Sequence, residues 1–310
     1  MSTNFPFKHL SEEVQFGYSS EASAHLNVEL FSPADRIKWE QRQTEHRKEE
    51  FLLSRSALAA ALNPLPLSAV YYHGNQPKHE AGHISISHTK SGAIAAFSAT
   101  VEVGVDIEGV RPQIDRIAQK FIRADEEKYY TSLGTTHAQQ LLWGLKESLF
   151  KLFGTGNVDF KKHLHITSLL PEIEGELWSG TAWIYATNEL HQQPIQCMVQ
   201  GYFDGSHYYC LATHRKAMIP FNTQNLQLRQ WTPNDAHWLF HLNNDPEVVK
   251  YTGDSGFSSE AKALELIQTY PNYQRDGYGR WIVTDHASDT PLGWCGLKKN
   301  PWGVDLGFRF

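Results

Sequence analysis

Apolar and polar positions alternate over Val101, Val103, Val105 and Ile107, which predicts a strand carrying the stretch GVDIEG at residues 104–109. Successive strand side chains point to opposite faces, so Asp106 and Glu108 point the same way. Further short strands are expected around Val70 to His73, Ile84 to Ser87 and Ala93 to Ser98, separated by Gly, Pro and Lys. From Arg36 to Leu62 the chain has few breakers, and Phe51, Leu52, Leu58 and Leu62 fall on a helical stripe that Asn63 and Pro64 end. After Arg111 and Pro112, the residues Ile114, Ile117, Ala118, Phe121 and Ile122 keep amphipathic helical spacing, with Arg116, Lys120 and Arg123 on the polar face. A third helix is expected from about His137 to Phe153, closed by Gly154. On it Leu142, Leu145, Leu149 and Leu152 form one side, and Trp143, Glu147 and Lys151 stack on the other. Strand-like pieces continue to Cys210 and Leu211, after which RKAMIPFNTQN breaks the pattern and places a linker at 216–225.

The 310 residues are enough for two domains. With 28 basic against 34 acidic residues the formal charge is −6, which argues against a general nucleic-acid or anionic-membrane binder. Three scattered cysteines, Cys197, Cys210 and Cys295, support neither a disulfide framework nor a cysteine-rich zinc site, and fit a reducing cytoplasm. The opening MSTNFPFKHLSEE has no apolar stretch of signal-peptide length, and no window approaches the run of about 18 apolar residues that a spanning helix needs.

Two carboxylates on one strand face raise each other's pKa unless a cation stands between them, and a hard divalent ion is one candidate, hydration at a strand end the other. Glu147 and Lys151 taken alone read as a surface salt bridge between helical neighbours. With Asp106 and Glu108, however, Glu147 completes a set of three carboxylates that suits Mg²⁺, and Lys151 could then meet a phosphate. The strand ending ISISH brings Ser87 and His88 to a loop exit suited to anion contact. The first helix carries six basic residues (Arg36, Lys38, Arg42, Arg47, Lys48, Arg55) against four glutamates. The string HEAGH at His79 to His83 matches H-E-x-x-H by letter only: Pro77, Gly82 and the β-type run after it make it a loop, not a helical zinc site. His163 and His165 alternate as strand residues do and have no third ligand in view.

The ordered set ISHTKSG (86–92), GVDIE (104–108) and WGLKESLFK (143–151) resembles the signature of 4'-phosphopantetheinyl transferases of the Sfp type, over about residues 20–215. The resemblance implies an α+β fold of two pseudo-twofold-related halves, about 1–103 and 104–215, with the site between them. It implies Mg²⁺-dependent transfer of the phosphopantetheine arm of coenzyme A to a serine of an apo acyl or peptidyl carrier protein, releasing 3',5'-ADP. Residue by residue, Asp106, Glu108 and Glu147 would hold the metal, and Lys151 would contact the reacting phosphate. Either Glu147 or a metal-bound hydroxide would serve as the base. Ser87, His88, Arg47 and Lys38 would face coenzyme A, Arg47 at the 3'-phosphate. At the family's charged position stands Gln76, with Lys78 as a substitute cation. The face of Arg116, Lys120 and Arg123 would dock an acidic carrier helix.

Residues 226–310 resemble the first half of a GNAT-type N-acetyltransferase, a partial α/β segment with an opening strand, first helices and central strands but no glycine-containing pyrophosphate loop before Phe310. No acetyl transfer is expected from it, and its strand edges would need covering by a partner or another copy. Two other functions stand beside the transferase: a coenzyme A-dependent N-acetyltransferase, and a carrier-binding module without catalysis.

Overall fold

The computed structural model describes residues 13–20, 26–154, 157–172, 176–187, 193–216, 222–250, 255–270 and 272–310. The N-terminal stretch through residue 12 and part of the expected linker lie outside them. The chain divides into two compact units, Met1–His214 and Arg215–Phe310.

The first unit is α+β. Its first half contains β1 (Gln15–Ser19), α1 (Pro33–Glu40), α2 (Glu45–Leu62), β2 (Val70–His73), β3 (Gln76–His79), β4 (His83–His88) and β5 (Ala93–Ser98). Strands β1, β5 and β4 form an antiparallel sheet in that order, and β2 pairs with β3 apart from it. The second half contains β6 (Glu102–Gly109), α3 (Asp115–Phe121), α4 (Tyr129–Leu133), α5 (Thr135–Phe153), α6 (Phe160–His163), β7 (Leu164–Pro171), β8 (Leu177–Ile184), β9 (Ile195–Phe203) and β10 (His207–His214). Its sheet order is β6-β10-β9-β8-β7.

The halves repeat one construction, a long helix lying tightly on a glycine of the adjoining strand. A Cβ at Gly17 of β1 would stand 1.9 Å from the Ala57 carbonyl oxygen of α2; one at Gly104 of β6 would stand 2.0 Å from that of Ser148 on α5. Only glycine permits either approach. Leu142, Leu145, Leu149 and Leu152 are buried under α5 as their spacing predicts, each contributing about 1.5–3 kcal/mol by leaving water. Val103, Val105 and Ile107 pack the other face of β6 against Ile94 and Ala96 of β5. Asp106 and Glu108 are therefore left on the α5 side of the sheet.

Two expectations change. The single helix from Arg36 to Leu62 is two helices, because the Thr44 hydroxyl accepts from the Arg47 amide and starts α2 afresh. Strands β1 and β3 were not anticipated; each is short and lacks a run of branched residues. The HEAGH string is a turn at the end of β3, where His79 Nδ1 accepts from the Ala81 amide. His165 is buried against Asp125 (Nε2 to Oδ2, 2.7 Å), and desolvation pulls its pKa down to about 4.

The second unit contains β11 (Leu226–Arg229), α7 (Ala236–Asn244), α8 (Pro246–Val249), α9 (Glu260–Thr269), α10 (Asn272–Asp276), β12 (Arg280–Asp285), β13 (Pro291–Asn300) and β14 (Gly303–Arg309), with an antiparallel sheet in the order β11-β12-β13-β14. This is the opening strand, helices and central strands expected from its sequence. Among the described residues no helix is long and apolar enough to cross a membrane.

Candidate active site

The serines of ISISH join the two halves. Ser85 and Ser87 point the same way from β4: the Ser85 hydroxyl accepts from the Val105 amide at 3.0 Å, and that of Ser87 donates to Asp106 Oδ1 at 2.8 Å. Lys151, on the last turn of α5, places Nζ 2.6 Å from the same Oδ1 and 2.7 Å from Ser87 Oγ. Lys151 thus crosses to β6, and its salt bridge is with Asp106 instead of its helical neighbour Glu147.

Asp106 is 3% exposed, and its other oxygen, Oδ2, is buried without a hydrogen-bond partner. Glu108 accepts a bidentate clamp from Arg111 (2.7 and 2.8 Å) and a bond from the Trp143 indole at 3.2 Å. Arg111 is in turn held at its carbonyl by Gln140 Nε2 at 2.6 Å. Burial, then the charge of Asp106, raises the Glu108 pKa. Glu147 makes no ion pair among the described residues, and burial followed by repulsion from Asp106 lifts its pKa to about 7.

Between pH 4.5 and about 7 the folded chain therefore holds a proton on Glu147 that the unfolded chain has lost, so this group makes stability fall as pH rises through that window. Urea unfolding should show the wild type losing ground to Glu147→Gln between about pH 5 and about pH 7.5. An unchanged gap would mean that Glu147 is not held in this way.

Among the described residues no group of three His, Cys, Asp or Glu side chains is gathered as a ready metal-ligand set. Lys151 and Arg111 occupy the carboxylates expected to hold the metal. Even so, the unpartnered Asp106 oxygen and the raised Glu147 pKa mark a site short of positive charge, and its donors are the hard oxygens that Mg²⁺ prefers.

One residue beyond Ser87, His88 enters a basic cleft of about 400 Å³. Lys38, Arg42, Arg47, Arg55, Tyr72 and Asn75 also line it. Arg55 is the part that the sequence reading left without a role. Only 5% exposed, it is bound by Asp35 at 2.7 Å and by the Tyr72 hydroxyl, which itself donates to Asp35 Oδ1 at 2.6 Å. A stripe of Arg47, Phe51 and Arg55 along α2 was the available signal, since all three lie on one helical face. Arg42 and Arg55 stack their guanidinium groups on Phe51, and Lys38 lies over the Tyr72 ring.

Gln76 departs from its expected place. While Asn75 and Pro77 line the cleft, Gln76 donates its amide to the Lys151 carbonyl at 3.0 Å and caps the helix that carries the lysine. Lys78 is not among the cleft residues; burial lowers its pKa and Glu102 opposes the shift. Lys146, the lysine of WGLKE, is fully buried, donating to Glu126 at 2.7 Å and to the Phe121 carbonyl at 2.6 Å.

Residues 102–195, which contain the carboxylates and Lys151, match a known family. The match is to the 4'-phosphopantetheinyl transferase superfamily. Residues 225–310 match the acetyltransferase (GNAT) domain. An uncharacterized N-acetyltransferase, p20, of Bacillus licheniformis is 29% identical over 93 residues, covering 27% of this chain. The match spans about half of that relative's length, 52%. The matched stretch contains both the acidic strand and the lysine helix, while the basic cleft lies in the preceding half.

Proposed function

We propose that the first unit is an Sfp-type enzyme that transfers the 4'-phosphopantetheine of coenzyme A to a serine of an apo acyl or peptidyl carrier protein. The observation carrying this reading is the adjacency on β4: His88 lies in the basic cleft and Ser87 on the Lys151–Asp106 pair. A dianionic phosphate suits the first, and a reacting pyrophosphate suits the second.

The serine oxygen attacks the β-phosphorus, the bond to the leaving 3',5'-ADP breaks, and the serine proton passes to a base. Glu147 is the carboxylate placed to accept that proton, directly or through water. Lys151 turns its ammonium from Asp106 to the phosphate oxygens, and Ser87 steadies it. Asp106, Glu108 and Glu147 would hold Mg²⁺, which supplies charge neutralisation for the pyrophosphate. Arg47 and Lys38 bind the nucleotide end, and Arg55, locked by Asp35 and Tyr72, keeps a fixed positive floor under it. Arg116 and Lys120 would offer their α3 face to an acidic carrier, whereas Arg123, expected on the same face, lies beyond the end of α3 and is paired with Asp125.

Arg47→Ala should raise KM for coenzyme A about tenfold with kcat little changed, and should leave KM for dephospho-coenzyme A nearly unmoved, because a charged hydrogen bond contributes about 1.5–3 kcal/mol. Equal effects on both substrates would remove Arg47 from the 3'-phosphate.

A second reading, coenzyme A-dependent N-acetylation by the second unit, rests on the GNAT match at 225–310. Consumption of acetyl-coenzyme A with an amine acceptor would distinguish it.

A further inference from the structure

A sheet covered on one side normally turns its apolar side chains inward. On β14 the pattern is reversed: Val304, Leu306 and Phe308 are exposed, and the half-buried Asp305, Gly307 and Arg309 alternate with them. Phe310 continues the exposed series at 61%, and Trp302, in the turn between β13 and β14, is 94% exposed. Leu297, the register partner of Leu306 on β13, is exposed beside it.

The strand is also unguarded. It ends the sheet order β11-β12-β13-β14, so no strand lies along its outer side among the described residues. Edge strands that stay single are blunted by lysine, proline or a bulge. β14 has neither residue, and its register with β13 runs unbroken through all seven of its positions. At about 150–250 Å² for a fully exposed aromatic side chain, Phe308 (69% exposed), Phe310 and Trp302 together leave roughly 340–560 Å² in water. Those three rings alone match the largest apolar patch of a typical monomer, roughly 300–600 Å², and Val304, Leu306 and Leu297 add to it. A surface of this size approaches the roughly 800 Å² that each partner of a stable dimer buries.

We infer that β14 pairs antiparallel with β14 of a second copy of this chain, about a twofold axis at Leu306, and extends the four-stranded sheet to eight strands. The strand is self-complementary in that register. Leu306 meets Leu306, Val304 of one copy meets Phe308 of the other, and Trp302 meets Phe310, so each exposed apolar side chain of the strand is flanked by another. Asp305 falls opposite Gly307 and Arg309 opposite Gly303, so no like charges face each other across the seam. A slip of one residue would turn the two apolar rows to opposite faces. This surface is independent of the transferase reading.

Light scattering on the full chain as it leaves a sizing column provides the test. A dimer is expected at about 50 µM chain, with a Kd of about 10 µM or below. Leu306→Lys sets two ammonium groups against each other at the axis and should leave a monomer with unchanged circular dichroism, since the position is exposed. Leu170→Lys, equally exposed on the edge strand β7 of the first unit, should remain dimeric. In a Cys295→Ser background, Leu306→Cys should cross-link the two copies on oxidation, because the axis brings the two side chains together. A wild type still monomeric at about 200 µM would overturn the proposal, as would a dimer that survives Leu306→Lys or is lost equally with Leu170→Lys. A dimer in which Leu306→Cys stays uncross-linked would overturn the register.

Discussion

Replacing Asp106 with asparagine is expected to lower kcat/KM for phosphopantetheine transfer by about a thousandfold or more, a loss of roughly 4 kcal/mol of transition-state stabilisation. The substitution keeps the volume and leaves an oxygen to accept from Ser87 and Lys151. What it removes is the charge at the centre of the cluster, and with it the counterion of Lys151 and the repulsion that adds to burial in raising the Glu147 pKa. Lys151 is partly exposed, so its ammonium can be hydrated once the partner is neutral, and the fold should survive. An unchanged urea midpoint beside the lost turnover separates this result from simple unfolding. Near-normal turnover in Asp106→Asn would remove the carboxylate cluster from the mechanism.

Lys146→Met should act in the opposite way, on stability instead of chemistry. The ammonium is fully buried and shares Glu126 with the backbone amides of Ile166 and Arg123. Removing one member of such a pair leaves a buried charge without its counterion, at a cost of about 3–5 kcal/mol. Adding Glu126→Gln removes that charge and keeps an acceptor for the Ile166 amide, so the double variant should recover much of the loss. Urea unfolding of the wild type, both single variants and the double variant measures this coupling. A Lys146→Met loss below about 1 kcal/mol would show that the pair is not the anchor described here. The experiment also separates the two lysines of WGLKESLFK: Lys146 holds the helix to its neighbours, while Lys151 faces the chemistry.

Much of this architecture was legible from periodicity. The valines of β6 and the leucines of α5 each need one apolar face, and those faces fix which side of the sheet Asp106, Glu108 and Glu147 share. The break between α1 and α2 was less visible, because Thr44 acts through a single capping bond and the flanking residues tolerate a helix. At the site, sequence spacing brought the right groups together but could not choose among cations. Lys151 pairs with Asp106 from helix to strand within the second half, over a separation that no local rule reaches, and Arg111 takes Glu108 through a short loop held by Gln140. Gln76 looked like a weakened phosphate contact because only its charge was considered; in the fold its amide satisfies a helix-end carbonyl instead. The Asp35–Tyr72–Arg55 lock was invisible for a similar reason, since it joins two helices and a strand through side chains that carry no motif.

The central claim is that this chain moves a phosphopantetheine group from coenzyme A to a carrier serine. Intact-mass spectrometry of an apo acyl or peptidyl carrier protein, incubated with the chain, coenzyme A and Mg²⁺, tests it most directly. The account predicts one added phosphopantetheine per carrier, lost with Asp106→Asn and when the acceptor serine is replaced by alanine. A panel of apo carriers left at unchanged mass by folded protein, under conditions where a known transferase of this superfamily modifies them, would contradict it.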